Sequence, residues 1–459
     1  MSKKISICLV LFILNFSLGI LYKTDKIGSI DSDIRKNFIK TFLSDKSFSV
    51  EKKYLCYSEL VKEYKGKAYM HYLPGLSLIA IPFYLLGKSF GKSLENIDHG
   101  VLLFNLLLGS ISIVLFFNIA VKFFSSKISL SLSLIFLTTP FLSFYQKTFF
   151  SEPLILLINL YLFHHLTTGK ETKGEIIGVN FILFLGMITK YPFIITLVIF
   201  LLISVIQNGV KKSIRYLPGV LLCFLFVFWY KYGQFGFQNI NKMHSTGFFL
   251  INYFKYFLTG VSGLWFSTGR GLLVLSPVLI FGLLYLNKIW KKFLFPIGLI
   301  LGYTFFYGGW AMWYGGACFG PRFLVPVYPF LLLPIGFLWK EKKKMIQILF
   351  ISFYFVSVFV YIQSVRVDTF KLFSTMQKVT VYKQKASNLI VRNRLIYQDL
   401  NWKWEYSPQF FYPLLDTNYL SFKNVYQKKG LMLQKILFSV VLFMFLLCII
   451  KIYQIMVSL

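Results

Sequence analysis

Arg322 stands in GGWAMWYGGACFGPRFLVPVYPFLLL, between a Gly- and Trp-rich segment and a long apolar run. A cation on an aromatic rim at a membrane surface can hold an anionic headgroup, and glycines let that group approach the backbone closely. Carboxylates supply the complementary chemistry. Of seventeen Asp and Glu, seven fall between residues 22 and 73. In SIDSDIRKNFIKTFL the residues Ile34, Phe38, Ile39 and Phe42 recur at helical spacing, which predicts an amphipathic surface helix with Asp31 and Asp33 at its N-terminal end. One of the two is expected to cap that helix, leaving the other available as a base. Glu152, in KTFFSEPLILL, directly precedes the proline that opens an apolar helix. Ordinary first-turn capping and a functional ionisable group at membrane depth are both open for it.

The elements that must hold these residues are membrane helices. Thirteen apolar runs alternate with short, often basic loops: 5–21, 74–90, 100–121, 128–145, 153–166, 176–189, 193–206, 217–230, 272–286, 293–307, 323–338, 345–362 and 431–450. Hydrocarbon offers no partner to an unpaired backbone group, so these runs are expected to be helical. Several fall short of the roughly 20 residues that cross a bilayer and need flanking aromatic and Lys residues to do so. Lys3/Lys4, Lys170/Lys173, Lys211/Lys212/Arg215, Lys288/Lys291/Lys292 and Lys340/Lys342/Lys343/Lys344 recur at every second loop, which assigns them to the cytoplasm. Segments 22–73, 231–271, 308–322 and 363–430 then face outward. The first outward loop and the basic loop after residue 168 require an odd number of crossings between them, yet four apolar runs intervene. One does not cross. The run 74–90, broken by Pro74 and Pro82, suits a juxtamembrane helix; 128–145, interrupted by Pro140, is the other candidate.

The fold class expected is an all-α polytopic membrane protein: a catalytic module over 1–362, an outward segment over 363–430 and a last membrane helix over 431–459. Composition agrees, with 56% hydrophobic and 20% aromatic residues and a mean hydropathy of +0.65. The N-terminal run lacks a small-x-small cleavage site and is expected to stay as an anchor. Five cysteines show no C-x-x-C and no metal spacing. The net charge of +32 is spread over loops, which suits topology and anionic lipid rather than nucleic acid.

Taken in order, the outward Asp after the first membrane helix, YMHYLPGLSLIAIPFYLLG, KTFFSEPLILL, ITKYPF, STGRGLLVLSPVL and GGWAMWYGGACFGPRFLVPVYPFLLLP resemble the bacterial GT-C superfamily. The likeness runs from about Ile5 to Trp339. It is narrower toward the branch of protein O-mannosyltransferases and lipid A aminoarabinose transferases, a glycosyltransferase family 39-like, phospholipid carrier-dependent group. The resemblance implies a GT-C-type bundle of about 11–13 membrane segments in the cytoplasmic (inner) membrane. It implies transfer of a sugar from a polyprenyl-phosphate donor to a lipid, glycan or protein acceptor on the outer face, with a first-loop Asp at the active site. Asp31 matches that position and Asp33 is the reserve. His71, Tyr72 and Pro74 fall where relatives carry a Lys-Pro-Pro or Tyr-Pro-Pro element, Lys190 matches a Thr-Lys position, Arg270 a Gly-rich stretch and Arg322 a Gly-Pro-Arg element.

Displacing a lipid phosphate from an anomeric carbon needs a base at the acceptor hydroxyl and cations at the departing phosphate. Asp31 is assigned the first task, with Asp33 and Glu152 as the other candidate carboxylates. Lys190, Arg270, Arg322 and His71 are assigned the second; Arg binds phosphate bidentately. Interfacial anchoring is the competing account of the two arginines. Tyr72, Trp265, Trp310 and Trp313 are candidates for sugar or lipid contact. Direct displacement inverts the anomeric centre. No cofactor is called for, and Asp31-Ser32-Asp33 faces away from the compartment that holds nucleotide sugars. The competing class is a flippase of a lipid-linked sugar, which is expected to carry its polar elements near the midplane rather than at the rim. An interaction scaffold built on WKWEYSPQFFYPLLD is the third.

Overall fold

The computed structural model describes residues 3–22, 27, 29–57, 60–91, 94–169, 172–243, 246–316, 318–366, 443–452 and 454–455, without the side chains of 94–95 and 233–252. Most of the segment 363–430 and the start of the run 431–450 lie outside the described residues. The protein is a multi-pass helical membrane protein. Four helices are long and apolar enough to cross a bilayer among the described residues: Lys3–Leu21, Asn96–Ala120, Val210–Tyr232 and Lys344–Val365. The pair Ser126–Leu137 and Pro140–Gln146, bent by 57°, is apolar and long enough only when the two are taken together. The bend falls at Pro140, which has no amide hydrogen to continue the helix.

Of the four early runs, 74–90 is the most broken. That stretch forms two short helices, Gly75–Ile79 and Ile81–Ser89. Nine residues of helix rise only about 14 Å, less than half the hydrocarbon thickness. Ile81–Ser89 packs instead along Leu94–Ala120, which also contacts Lys3–Leu21 and Glu152–Thr168.

Two elements depart from expectation. The run 323–338 is not one long helix but a chain of short turns, Arg322–Leu324, Pro329–Leu332 and Leu333–Lys340. Pro326, Pro329 and Pro334 break it, and its side chains are almost all buried. The segment 231–271, expected as an outward loop, is largely helical: Leu217–Met243 continues into it and Thr246–Phe266 follows. The second helix packs on Leu294–Gly308. Lys255 and the Gly260 and Gly263 contacts interrupt its apolar pattern. Its glycines are demanded by packing, since a Cβ on Gly260 would meet the Gly308 carbonyl oxygen at 2.0 Å.

The first loop folds as predicted in its centre. Ile30–Asp45 is a helix whose Ile34, Phe38 and Ile39 are fully buried. Ile34 and Phe38 form a small core of their own with Val50, Val61 and Met70. A two-stranded antiparallel hairpin, Val61–Tyr64 with Lys67–Met70, supplies part of it, Val61 standing opposite Met70. The hairpin turns at Lys65 and Gly66, both at positive φ.

Candidate active site

Neither first-loop carboxylate caps its helix. Ser29 does, accepting from the amide of Ser32. Asp33 instead binds Lys36 at 3.0 Å and accepts from the Tyr54 hydroxyl at 2.6 Å. Lys36 also reaches Asp98 at 2.6 Å, and Asp98 accepts from the Ile27 amide at 3.1 Å. These bonds pin the surface helix to the bundle. Ser32 adds a further tie, its hydroxyl accepting from the Phe149 amide at 3.2 Å. Asp31 is thereby held over the start of the helix Glu152–Thr168.

Arg322 meets it there. Its Nη1 donates to Asp31 Oδ2 at 3.2 Å and its Nε to Glu152 Oε1 at 2.8 Å. Lys190, at the C-terminal end of Lys173–Thr189, donates to the same Glu152 oxygen at 2.9 Å. The guanidinium lies 3.9 Å from the Phe150 ring centroid. Below it Tyr307 and Phe323 stack at 4.0 Å with an interplanar angle of 2°, and Lys190 sits over both. Glu152 is fully buried between its two cations, whereas the Asp31 side chain keeps 18% exposure. Burial works against the charge on Arg322, but Glu152 and then Asp31 more than offset it and raise its pKa. Lys190 is lowered, burial outweighing the attraction of Glu152. Tyr72 is raised by burial and by Asp31, to which its hydroxyl hydrogen-bonds. That phenol stays neutral and donates.

The approach of Arg322 depends on the Gly-rich loop before it. Gly315 has φ +76° and a Cβ there would meet the Arg322 Cβ at 3.0 Å, so only glycine fits without displacement. Arg270 holds this loop from behind. Its guanidinium donates to the carbonyls of Cys318 and Gly316, the latter at 3.0 Å, and it is 1% exposed. Tyr145 adds a bond to the Phe319 carbonyl at 2.8 Å. Arg270, expected at phosphate, thus spends these donors on backbone oxygens and positions the loop that carries Arg322.

The structure brings together Asp31, Glu152, Lys190, Arg322 and Tyr72. Trp310 borders them, packed 5.2 Å from Phe323. Trp313 is fully buried against Gly263 and offers no face to a sugar as it stands. Trp265 donates to Thr304 at 3.1 Å and packs against the core. His71 follows the hairpin, its amide bonded to the Leu60 carbonyl and its own carbonyl accepting from Lys231. Arg35 joins them without a motif of its own: its ring contact with Tyr72, Cζ 4.5 Å from the centroid, brings it alongside. Its spacing of four from Asp31 on one helix was the available signal. The five cysteines are free, Cys56 exposed and Cys318 buried.

Residues 79–230 match the family model described as dolichyl-phosphate-mannose-protein mannosyltransferase. That stretch contains Glu152 and Lys190. No curated protein sequence matches the chain. Two crystal structures of ArnT from Cupriavidus metallidurans, one bound to undecaprenyl phosphate and one in the apo state, each align with 86% of this chain. Their identities are 12% and 14%, the aligned shares of their own lengths 68% and 73%, and the TM-scores 0.46 and 0.42. Over residues 79–230 the chain is therefore similar to the dolichyl-phosphate-mannose-protein mannosyltransferase family, which bears out the resemblance to the GT-C superfamily carried by its motifs.

Proposed function

We propose that this protein is a membrane glycosyltransferase that moves a sugar from a polyprenyl-phosphate donor to an acceptor hydroxyl at the outer face of the cytoplasmic membrane, with inversion. The match to the mannosyltransferase family model supports the coarser part of that reading, a membrane glycosyltransferase. The finer part rests on one observation: two carboxylates of unequal exposure converge on one arginine at the foot of an amphipathic surface helix. Asp31, the more open of the two, is the base. It takes the proton of the acceptor hydroxyl as that oxygen bonds to the anomeric carbon and the phosphate oxygen leaves with the bonding electron pair. Glu152 holds Arg322 and Lys190 in place, and Arg322 and Lys190 stabilise the charge that grows on the departing phosphate. Tyr72, donating to Asp31, fixes the carboxylate's orientation. Tyr307, Phe323 and Phe150 are buried against the cations, and Trp310, the half-buried aromatic beside them, offers a flat face to a sugar or to the donor lipid.

The direct test is transfer of a labelled sugar from a polyprenyl-phosphate donor by the purified full-length protein in detergent, paired with lipid extraction from cells that lack it. Transfer in vitro and accumulation of the polyprenyl-phosphate sugar in those cells are the expected results. Movement of the donor across vesicle membranes without any transfer would replace this reading by the flippase alternative.

A further inference from the structure

Arg322 and Lys190 are already engaged with Asp31 and Glu152, at 2.8 to 3.2 Å. Arg35 is not so occupied. Its side chain is buried, the residue 2% exposed, and its Nε and Nη1 have no hydrogen-bond partner among the described residues. It lies one helical turn beyond Asp31 on Ile30–Asp45 and within electrostatic reach of Asp31, Glu152 and Arg322. Its guanidinium stacks on Tyr72, and the Tyr72 hydroxyl bonds to Asp31.

Buried donors of a charged group are expensive to leave unpaired, and native proteins seldom do so without a reason. The charge of the cluster points the same way. Arg35, Lys190 and Arg322 face two carboxylates, Asp31 and Glu152, which leaves one positive charge uncompensated. The nearby Lys36 on the same helix does not alter this balance, because it is shared by Asp33 and Asp98. A cationic ligand is disfavoured by that excess, and a neutral one leaves it standing. An anion with several oxygens suits unpaired guanidinium donors and offsets that charge.

We infer that Arg35 is a phosphoryl-binding residue of this site, its unpaired Nε and Nη1 donors offered to phosphate oxygens beside Arg322 and Lys190. The inference deepens the proposed function and takes from it only the source of the phosphate. A polyprenyl monophosphate and free inorganic phosphate share the chemistry that Arg35 recognises. Tyr72 then links the two halves of the site, its ring against the phosphate-binding residue and its hydroxyl on the base.

The experiment measures binding of undecaprenyl phosphate, and separately of inorganic phosphate, to the full-length protein in detergent. The wild type is compared with Arg35→Gln and Arg35→Lys. Arg35→Gln is expected to weaken undecaprenyl phosphate at least tenfold, and Arg35→Lys, which keeps the charge but loses the fork, by a smaller factor of at least about threefold. Should Arg35→Gln not fold, Arg35→Lys carries the decision. Wild-type affinity in the folded variant overturns the inference while leaving the glycosyltransferase reading intact. Binding of inorganic phosphate that depends on Arg35, in a protein that ignores undecaprenyl phosphate, sustains the inference and removes the polyprenyl donor. Failure of the wild type to bind either one overturns both.

Discussion

Asp31 and Asp33 sit two residues apart, yet their surroundings differ in kind. Asp31 contacts Arg322 and Tyr72 inside the cluster, whereas Asp33 serves the ties to Lys36 and Tyr54. Asp31→Asn is expected to keep the protein folded and to cut turnover about a hundredfold or more by removing a general base. Asp33→Asn loses a surface-side pair and is expected to leave turnover within a few-fold of the wild type; initial rates of both purified variants decide it. Glu152 makes a different prediction because it is fully buried between two cations. Removing one partner of a buried pair costs about 3–5 kcal/mol, mostly through the charge left behind. Glu152→Gln is therefore expected to lower the thermal midpoint as well as activity. The double variant Glu152→Gln/Lys190→Gln is expected to recover part of that loss, and simple additivity of the two single losses would refute the coupling.

At the level of elements, the loop 308–322 has to deliver one side chain. Gly315 lies at positive φ with Arg322 directly against it, and Arg270 clamps the loop's carbonyls. Gly315→Val is expected to displace Arg322 and to reduce turnover by at least tenfold, with a smaller effect on unfolding than Glu152→Gln has. Wild-type rates in Gly315→Val would show that Arg322 does not depend on the loop's conformation. The surface helix has its own anchor in Asp98, which receives both Lys36 and the Ile27 amide. The Glu51 carboxylate, paired with Lys40 and Lys53, braces the far side of the same loop and is pulled down to about 2. A folded pKa below the ordinary carboxylate value means that this brace is complete above the ordinary value of 4.5 and is lost as the pH falls toward 2. Limited proteolysis of the first loop is expected to accelerate across that window, and Glu51→Gln to remove the pH dependence.

For the whole molecule, the proposed orientation puts the cluster at the membrane end that carries the first loop. A single cysteine at Ser49 or at Lys88, in a protein with Cys56 replaced by Ser, is expected to react with a membrane-impermeant thiol reagent from outside. One at Lys343 is expected to react only after permeabilisation. Labelling at Lys88 tests in particular that Ile81–Ser89 lies on the outer surface, since a crossing by 74–90 would carry it to the other side. Labelling of Lys343 in intact cells would invert the arrangement.

Much of this architecture is written in local patterns. Apolar runs separated by basic loops identify a polytopic helical protein because each helix must satisfy its own backbone in hydrocarbon, and the spacing of Ile34, Phe38, Ile39 and Phe42 identifies the surface helix because amphipathicity is a property of a few adjacent turns. The candidate carboxylates and the cations Lys190 and Arg322 were legible for a similar reason, charges being scarce in an apolar chain. What the tertiary structure alone decided depends on distances between residues far apart in sequence. That Arg322 bridges Asp31 and Glu152, that Arg270 is spent on the carbonyls of a loop, and that Trp313 is buried follow from packing across 38 to 291 positions of chain, including pairs 170 and 291 apart at Arg322 and one 38 apart at Lys190. The helix Thr246–Phe266 was hidden because Lys and Gly break its apolar pattern, while its glycines are explained only by the backbone of Leu294–Gly308 against them. Local sequence sets what each segment can be; the close approach of segments determines which charges meet, and with that which residue is left with donors to spare.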